Sequence, residues 1–582
     1  MRIFVLTAFA CLLLAACDTN RVKGTSNNID QRFDNYKEGM VQALWKLYPE
    51  WASSIGYHVY DSILNVPDAA DRDKKLAFWK AQQDSLQQFN PELLTANNRT
   101  DFLILKSRAE SSIWYLTELK SYTWDPSEYN VSSTFAKMLS ENYDSLDTRL
   151  RHFYQRMAGI PAYYAAAQQN LQHPTAEHTE LSIGQNLGGL SVFTTDLPDS
   201  LAKSKLSAGE KTACIQRAGE AIKAMNSYVA WLKQLKPDSA RSFRLGRELY
   251  AKKFGFDIES GYTAEQVYQK ALDHKKELHA QMARLADQLW PKYMGAAIKP
   301  SDPLRLIRQV IDKISLNHVQ PDSFQSAIEK QIPVLTAFVK EKNLLYLDPS
   351  KPLVVRKEPA YMAGIAGASI SSPGPYDKGG NTYYNVGSLA GWDAAQAESY
   401  LREYNDYILQ ILNIHEAIPG HYAQLVYSSQ SPSIIKSVFE NGAMIEGWAV
   451  YAERMMLERG YGHNEPEMWL LYYKWNLRST CNMILDYSVH VNNMSKEEAM
   501  HLLVNEAFQQ QAEAEGKWRR VSLTQVQLCS YFAGYSEIYD LREELRKKRG
   551  DAFDLKAFHE EFLSYGSAPV KYIAELMRKE QR

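Results

Sequence analysis

A large, mainly α-helical body with one small β hairpin is the fold class this sequence predicts. Three observations predict it. Apolar residues recur at three- and four-residue spacing over most of the chain, as in 264–289, where Val267, Ala271, His274, Leu278, Met282 and Leu285 mark one helix face. One stretch, 361–386, trades that period for Gly, Ser and Pro, with short apolar alternations either side of a Gly-Gly turn. The 582 residues, 45% hydrophobic and 23% charged, have ordinary globular composition and suffice for one large or two medium cores.

The elements follow in chain order. Arg2 and the apolar run 3–16 read as a secretory signal, too short to span a bilayer. Leu14-Ala15-Ala16-Cys17 resembles the lipobox of bacterial lipoproteins, which implies cleavage before Cys17, lipidation of its thiol and a membrane-anchored, exported protein facing the periplasm or cell surface. Residues 17–28 are small and polar, as a flexible tether requires. A helical scaffold part is expected over 29–300. Thr263 with Gln266 three residues on forms a capping box, and Pro291 and Pro300 punctuate the end of this part. A part carrying the chemistry is expected over 301–582, the two forming one unit around a central cleft. Its first helices, about 304–342, are expected to break near Pro321 and Pro333. Residues 381–386 form one strand of the hairpin, and Asp393 with Gln396 starts the next helix.

Composition excludes several functions. The 66 basic and 68 acidic residues give a formal net charge of −2, which is no nucleic-acid binder. Five cysteines make no disulfide scaffold, and Cys214, Cys481 and Cys529 read as buried small hydrophobes. There is no G-x-S-x-G and no phosphate-binding Gly loop.

The chemistry sits in 411–422, ILNIHEAIPGHY. His415 continues the apolar stripe of its helix at three residues beyond Leu412, so it points inward. A His-Glu pair followed by a second His follows the logic of zinc metallopeptidases, in which two imidazoles bind the metal and the Glu, here Glu416, serves as base. The usual spacing is H-E-x-x-H. Here His415 and His421 are six residues apart, which on a regular helix leaves them about 120° from alignment. Pro419 and Gly420 lie in the interval, so the helix should bulge or break, and looping out two residues restores the one-turn relation. Glu446 is the candidate third ligand, because Gly442, Ala443, Ala449 and Val450 make its face small and apolar and a cation would offset its burial. Glu440 lies off that face and competes less well. Glu453, two turns on, is placed to orient a ligand histidine.

HEAIPGH followed by EGWAVYAE resembles the DUF885 family, a zincin-like group of bacterial proteins. The likeness extends over the C-terminal half, through YYNV, Tyr531-Phe-Ala-Gly534, Leu541-Arg542-Glu543, Phe558-His559 and Gly566-Ser-Ala-Pro569. The six-residue His spacing belongs to the family pattern. The resemblance implies a gluzincin-type site, with His415, His421 and Glu446 on one Zn²⁺ per chain and Glu416 as base. It implies a large helical zincin-like fold with the small sheet beside the metal helix. Tyr531 is the candidate oxyanion donor and Arg542 the candidate partner of a peptide carboxylate. Tyr383 and Tyr384, on the strand expected to bind substrate backbone as an edge, are candidate cleft residues. The activity implied is hydrolysis of peptides. The alternatives are a non-catalytic, SusD-like surface lipoprotein binding glycans or peptides, which would explain the 36 tyrosines, and a zinc-binding pseudo-enzyme.

Overall fold

A computed structural model describes residues 19–235, 240–358, 368–377, 381–431 and 433–579, with side chains from residue 28. Cys17 and the expected signal peptide lie outside the described residues. Helix accounts for 73% of the structure and strand for 3%. Buried apolar side chains from Phe33 to Met577 join in one core, so a boundary near residue 300 does not divide it. A smaller second core belongs to 129–232, where the rings of Phe135, Phe153 and Phe193 pack edge-on or tilted against one another.

Helix starts follow the chemistry of their caps. The Thr263–Gln266 capping box is formed at the head of the helix Ala264–Met294, and the Asp393 carboxylate accepts from the Gln396 N–H. Two expectations change. The first helix runs from Thr19 to Leu47, so 19–28, expected as a flexible tether, is helical backbone, because a formed helix extends at little cost per residue. Pro333 does not break its helix, which runs from Phe324 to Glu341. Pro333 is exposed, so water can satisfy the one carbonyl it leaves without a donor. Among the described residues no helix is long and apolar enough to cross a membrane.

The expected hairpin is part of a three-stranded sheet. Its strands are β1 (Leu353–Lys357), β2 (Ala368–Ser371) and β3 (Thr382–Val386), in the order β1-β3-β2. β2 pairs with β3 antiparallel, and β1 pairs with it in parallel, Val355 opposite Tyr384. β3 is therefore the central strand, and both its backbone edges are taken. The expectation that 381–386 presents a free edge to substrate is corrected: β1 and β2 are the edges.

Candidate metal centre

The helix carrying His415 spans Asp406–Glu416, and its apolar face, Ile408, Ile411 and Leu412, is buried. It stops where Ala417 leaves helical geometry (φ −113°, ψ −84°). The Ile418–Pro419 peptide is cis, and a new helix, His421–Ser429, begins after Gly420. The six-residue interval is thus a break between two helices. The close return of the chain puts the Gly420 N–H 3.0 Å from the Ile414 carbonyl. A Cβ at residue 420 would lie 1.9 Å from the His415 carbonyl oxygen, so only glycine fits. The Trp448 indole donates to the Pro419 carbonyl at 2.9 Å and pins the break from the facing helix.

That facing helix, Gly442–Glu458, starts at Asn441, whose side chain accepts from the Met444 N–H. Successive residues of its EGW triplet point about 100° apart and do three jobs. Glu446 faces the two histidines, Gly447 meets another backbone, and Trp448 holds the break. The result is one cluster: ligand atoms of His415, His421 and Glu446 all lie within 4.8 Å of one another. Glu446 Oε2 is 3.4 Å from His421 Nε2 and 3.7 Å from His415 Nε2, while the imidazoles sit edge to face with centroids 4.8 Å apart. At these separations Glu446 Oε2 is buried with no hydrogen-bond partner, as is His421 Nδ1. Two nitrogens and an orphaned carboxylate oxygen converging on one point fit a zinc ion, which takes N and O ligands of this kind. Glu440 precedes the helix cap and lies outside the cluster.

Glu453 is fully buried two turns along. Its carboxylate accepts from His415 Nδ1 at 2.7 Å and from the Trp475 indole at 3.0 Å. That bond holds the His415 proton on Nδ1 and leaves Nε2 to face Glu446. Burial works to lower the His415 pKa, but the Glu446 and Glu453 carboxylates outweigh it and push it up to about 10. Burial works to raise Glu446, and the two imidazoles hold it well below the usual carboxylate range instead. Glu416, on the last helical residue before the break, is raised by burial, and among the described residues nothing hydrogen-bonds its carboxylate.

The family model for DUF885, described as "Bacterial protein of unknown function", matches residues 49–577. The chain belongs to the DUF885 family. A solved structure described as a "putative lipoprotein of unknown function" from Shewanella oneidensis is 57% identical to this DUF885 chain, with a TM-score of 0.86 over 94% of this chain and all of its own. A second solved structure, described as "the putative lipoprotein from Colwellia psychrerythraea", shares 17% identity and the same fold, with a TM-score of 0.78 over 94% of this chain and 98% of its own. No curated protein matches the chain.

The remaining expected site residues of this DUF885 protein divide. Tyr531 lies beside the cluster, its ring parallel to that of His415 with centroids 6.5 Å apart. Its hydroxyl accepts from Arg520 Nη2 at 3.2 Å, and burial raises its pKa to about 12, so it keeps its proton. It is brought there by the helix Cys529–Arg549, which crosses the Glu446 helix at Gly534 and Gly447. A Cβ on Gly534 would sit 1.7 Å from the Ala443 carbonyl oxygen, and one on Gly447 2.3 Å from the Gly534 carbonyl carbon.

Two expectations, for Arg542 and Tyr384, are corrected, and Tyr383 is placed on a different face from Tyr384. Arg542 is buried and pairs with Glu458 at 2.7 Å and Glu543 at 2.9 Å, with the Tyr539 ring beneath it, so it is a structural ion pair. Tyr384 is fully buried, and its hydroxyl donates to Asn413 at 2.7 Å, supporting the His415 helix from behind. Tyr383, on the other face of β3, is stacked under Arg356 at 3.8 Å. Neighbouring strand residues point to opposite faces, so the two tyrosines could not both line one surface. Trp475, Lys517 and Arg520 were not foreseen. The helix Gln511–Thr524 reads as a solvated, charge-rich face, and no local signal marks Lys517 as buried.

Proposed function

We propose that this protein is a zinc-dependent metallopeptidase. The observation that carries the reading is the His415–His421–Glu446 cluster, with its orphaned carboxylate oxygen and an unpartnered Glu416 one residue from a ligand. A bound zinc ion supplies Lewis-acid polarisation of the scissile carbonyl and a water of lowered pKa. Glu416 takes the proton of the attacking water, and its raised pKa suits both that step and return of the proton to the leaving amine. Tyr531 donates to the developing oxyanion. Because Arg520 already donates to its oxygen, the phenolic proton is left free to point elsewhere. Glu453 and Trp475 hold the His415 ring.

We also read the protein as an exported lipoprotein anchored through Cys17, on the lipobox-like sequence and on the description of the 57%-identical relative. The test of activity is a peptide-library digest with and without chelator, read by mass spectrometry, together with Glu416→Gln. The variant should bind about one zinc per chain and lose about 10²–10⁴-fold in turnover. Zinc content near zero in the wild type, or full activity in the variant, overturns the reading.

A further inference from the structure

Two cations beside the metal centre have no acidic partner. Lys517 is only 5% exposed, and among the described residues it makes no ion pair or hydrogen bond. The charges around it are Arg478, Glu513, Arg520 and the candidate ligand Glu446. Arg520, three residues on and on the same side of the helix, bonds only neutral oxygens, Gln527 Oε1 at 2.7 Å and the Tyr531 hydroxyl at 3.2 Å. The neighbouring acids are committed elsewhere: Glu513 pairs with Arg478, and Glu446 faces the imidazoles. Arg478 Nη1 is itself buried without an acceptor. An ammonium without an anion beside it, on a side chain only 5% exposed, is costly, and a fold retains one where something else supplies the counter-charge. Burial and the nearby Arg478 push the Lys517 pKa well below its ordinary value, and an anion bound beside it would oppose that shift.

We propose that Lys517 and Arg520 form a carboxylate-binding site next to the metal centre, so that the substrate is a peptide anchored by a free carboxylate close to the bond that is cut. The inference rests on the peptidase reading for its substrate class, but the binding site stands or falls separately. Arg520 touches the hydroxyl of Tyr531, whose ring lies 6.5 Å from that of His415, so an anion held here lies on the Tyr531 side of the cluster. The forked guanidinium suits a carboxylate, and Lys517 adds a point charge. This is the role expected of Arg542, which its ion pairs with Glu458 and Glu543 preclude. The carboxylate is either the peptide's C-terminus or an Asp or Glu side chain.

The experiment uses the zinc-loaded Glu416→Gln protein, in which peptides bind without turnover. Calorimetry compares three ligands: acetyl-tetraalanine as free acid, the same peptide amidated, and an amidated peptide with one interior Glu. The free acid should bind at least tenfold more tightly than the amide. Lys517→Met and Arg520→Gln should each erase most of that ratio, and Lys517→Arg should keep it. Thermal unfolding checks that the variants are folded. A purely structural role for either cation would alter stability without altering the acid-to-amide ratio. If the interior-Glu amide binds as well as the free acid, the site stands and takes a side-chain carboxylate. Equal binding of all three, no binding of any, or an acid preference that survives both charge-removing variants overturns the inference. Acid preference in a protein whose wild type shows no chelator-sensitive cleavage would instead refute the peptidase reading and leave the site.

Discussion

The two candidate ligand histidines owe their geometry to residues outside the cluster. Glu453 is the clearest of these. With no solvent exposure, it accepts from both His415 and Trp475, so it fixes the imidazole's rotation and tautomer together. Glu453→Ala removes the acceptor and leaves two buried donors unpaired. Zinc affinity should fall about 10–100-fold, measured by competition with a chromophoric chelator, and Glu453→Gln should recover part of it. Unchanged affinity in the alanine variant would show that packing alone orients His415. Tyr531→Phe tests a different contribution: about 10² in kcat with little change in zinc content, if the phenol donates to the oxyanion.

Among secondary-structure elements, two glycine contacts do most of the positioning. Gly420 lets the broken helix fold back over its own carbonyls, and the Gly447–Gly534 crossing brings the Glu446 and Tyr531 helices into backbone contact. Gly534→Ala cannot be absorbed by a side chain turning aside, because the atom it meets is a backbone oxygen. It should destabilise by more than about 2 kcal/mol in denaturant unfolding and reduce activity in whatever remains folded. A variant with wild-type midpoint and turnover would mean that the helices separate freely. Much of this level can be read from the chain. The apolar period in 264–289 marks its helix, Thr263 and Asp393 mark caps, and Pro419-Gly420 marks the break between the histidines. β1 could not be read, since it pairs in parallel with a strand 29 residues further on and has no local turn to announce it. Nor could Lys517 or Arg520, because burial of a polar-looking helix face depends on what packs over it, nor Trp475, which nothing local singles out among the aromatics of its buried helix.

The whole molecule ties its C-terminal end to the candidate metal centre. Ser567 accepts from Gln424 on the His421 helix, and its carbonyl accepts from the Asn441 N–H at the cap of the Glu446 helix. His559 is fully buried between the Leu344 carbonyl and the Tyr451 hydroxyl on that same helix. Burial pushes its pKa down to about 4, against the lesser opposing effect of the Leu344 carbonyl. The unfolded chain takes up this proton near pH 6.5 and the folded chain does not. His559 therefore favours folding above about pH 6.5, and this contribution, about 3 kcal/mol at most, is lost as pH falls toward 4. His559→Gln should flatten the pH dependence of stability over that window, read from denaturant midpoints; an unchanged slope would assign it to other groups. The anchor has its own test: Cys17→Ser should move the protein from the membrane fraction to the soluble fraction, and retention in the membrane would refute lipidation there.

The glycine crossing bears on how such a site tolerates change over evolutionary time. Most helix pairs are spaced by side chains, so their separation drifts as core residues are exchanged for larger or smaller ones. Between Gly447 and Gly534 no side chain intervenes to be exchanged. At this crossing the span from Glu446 to Tyr531 is set by backbone against backbone. Substitution elsewhere in a chain of 582 residues can then retune stability while the distance between the candidate ligand Glu446 and the Tyr531 phenol stays put.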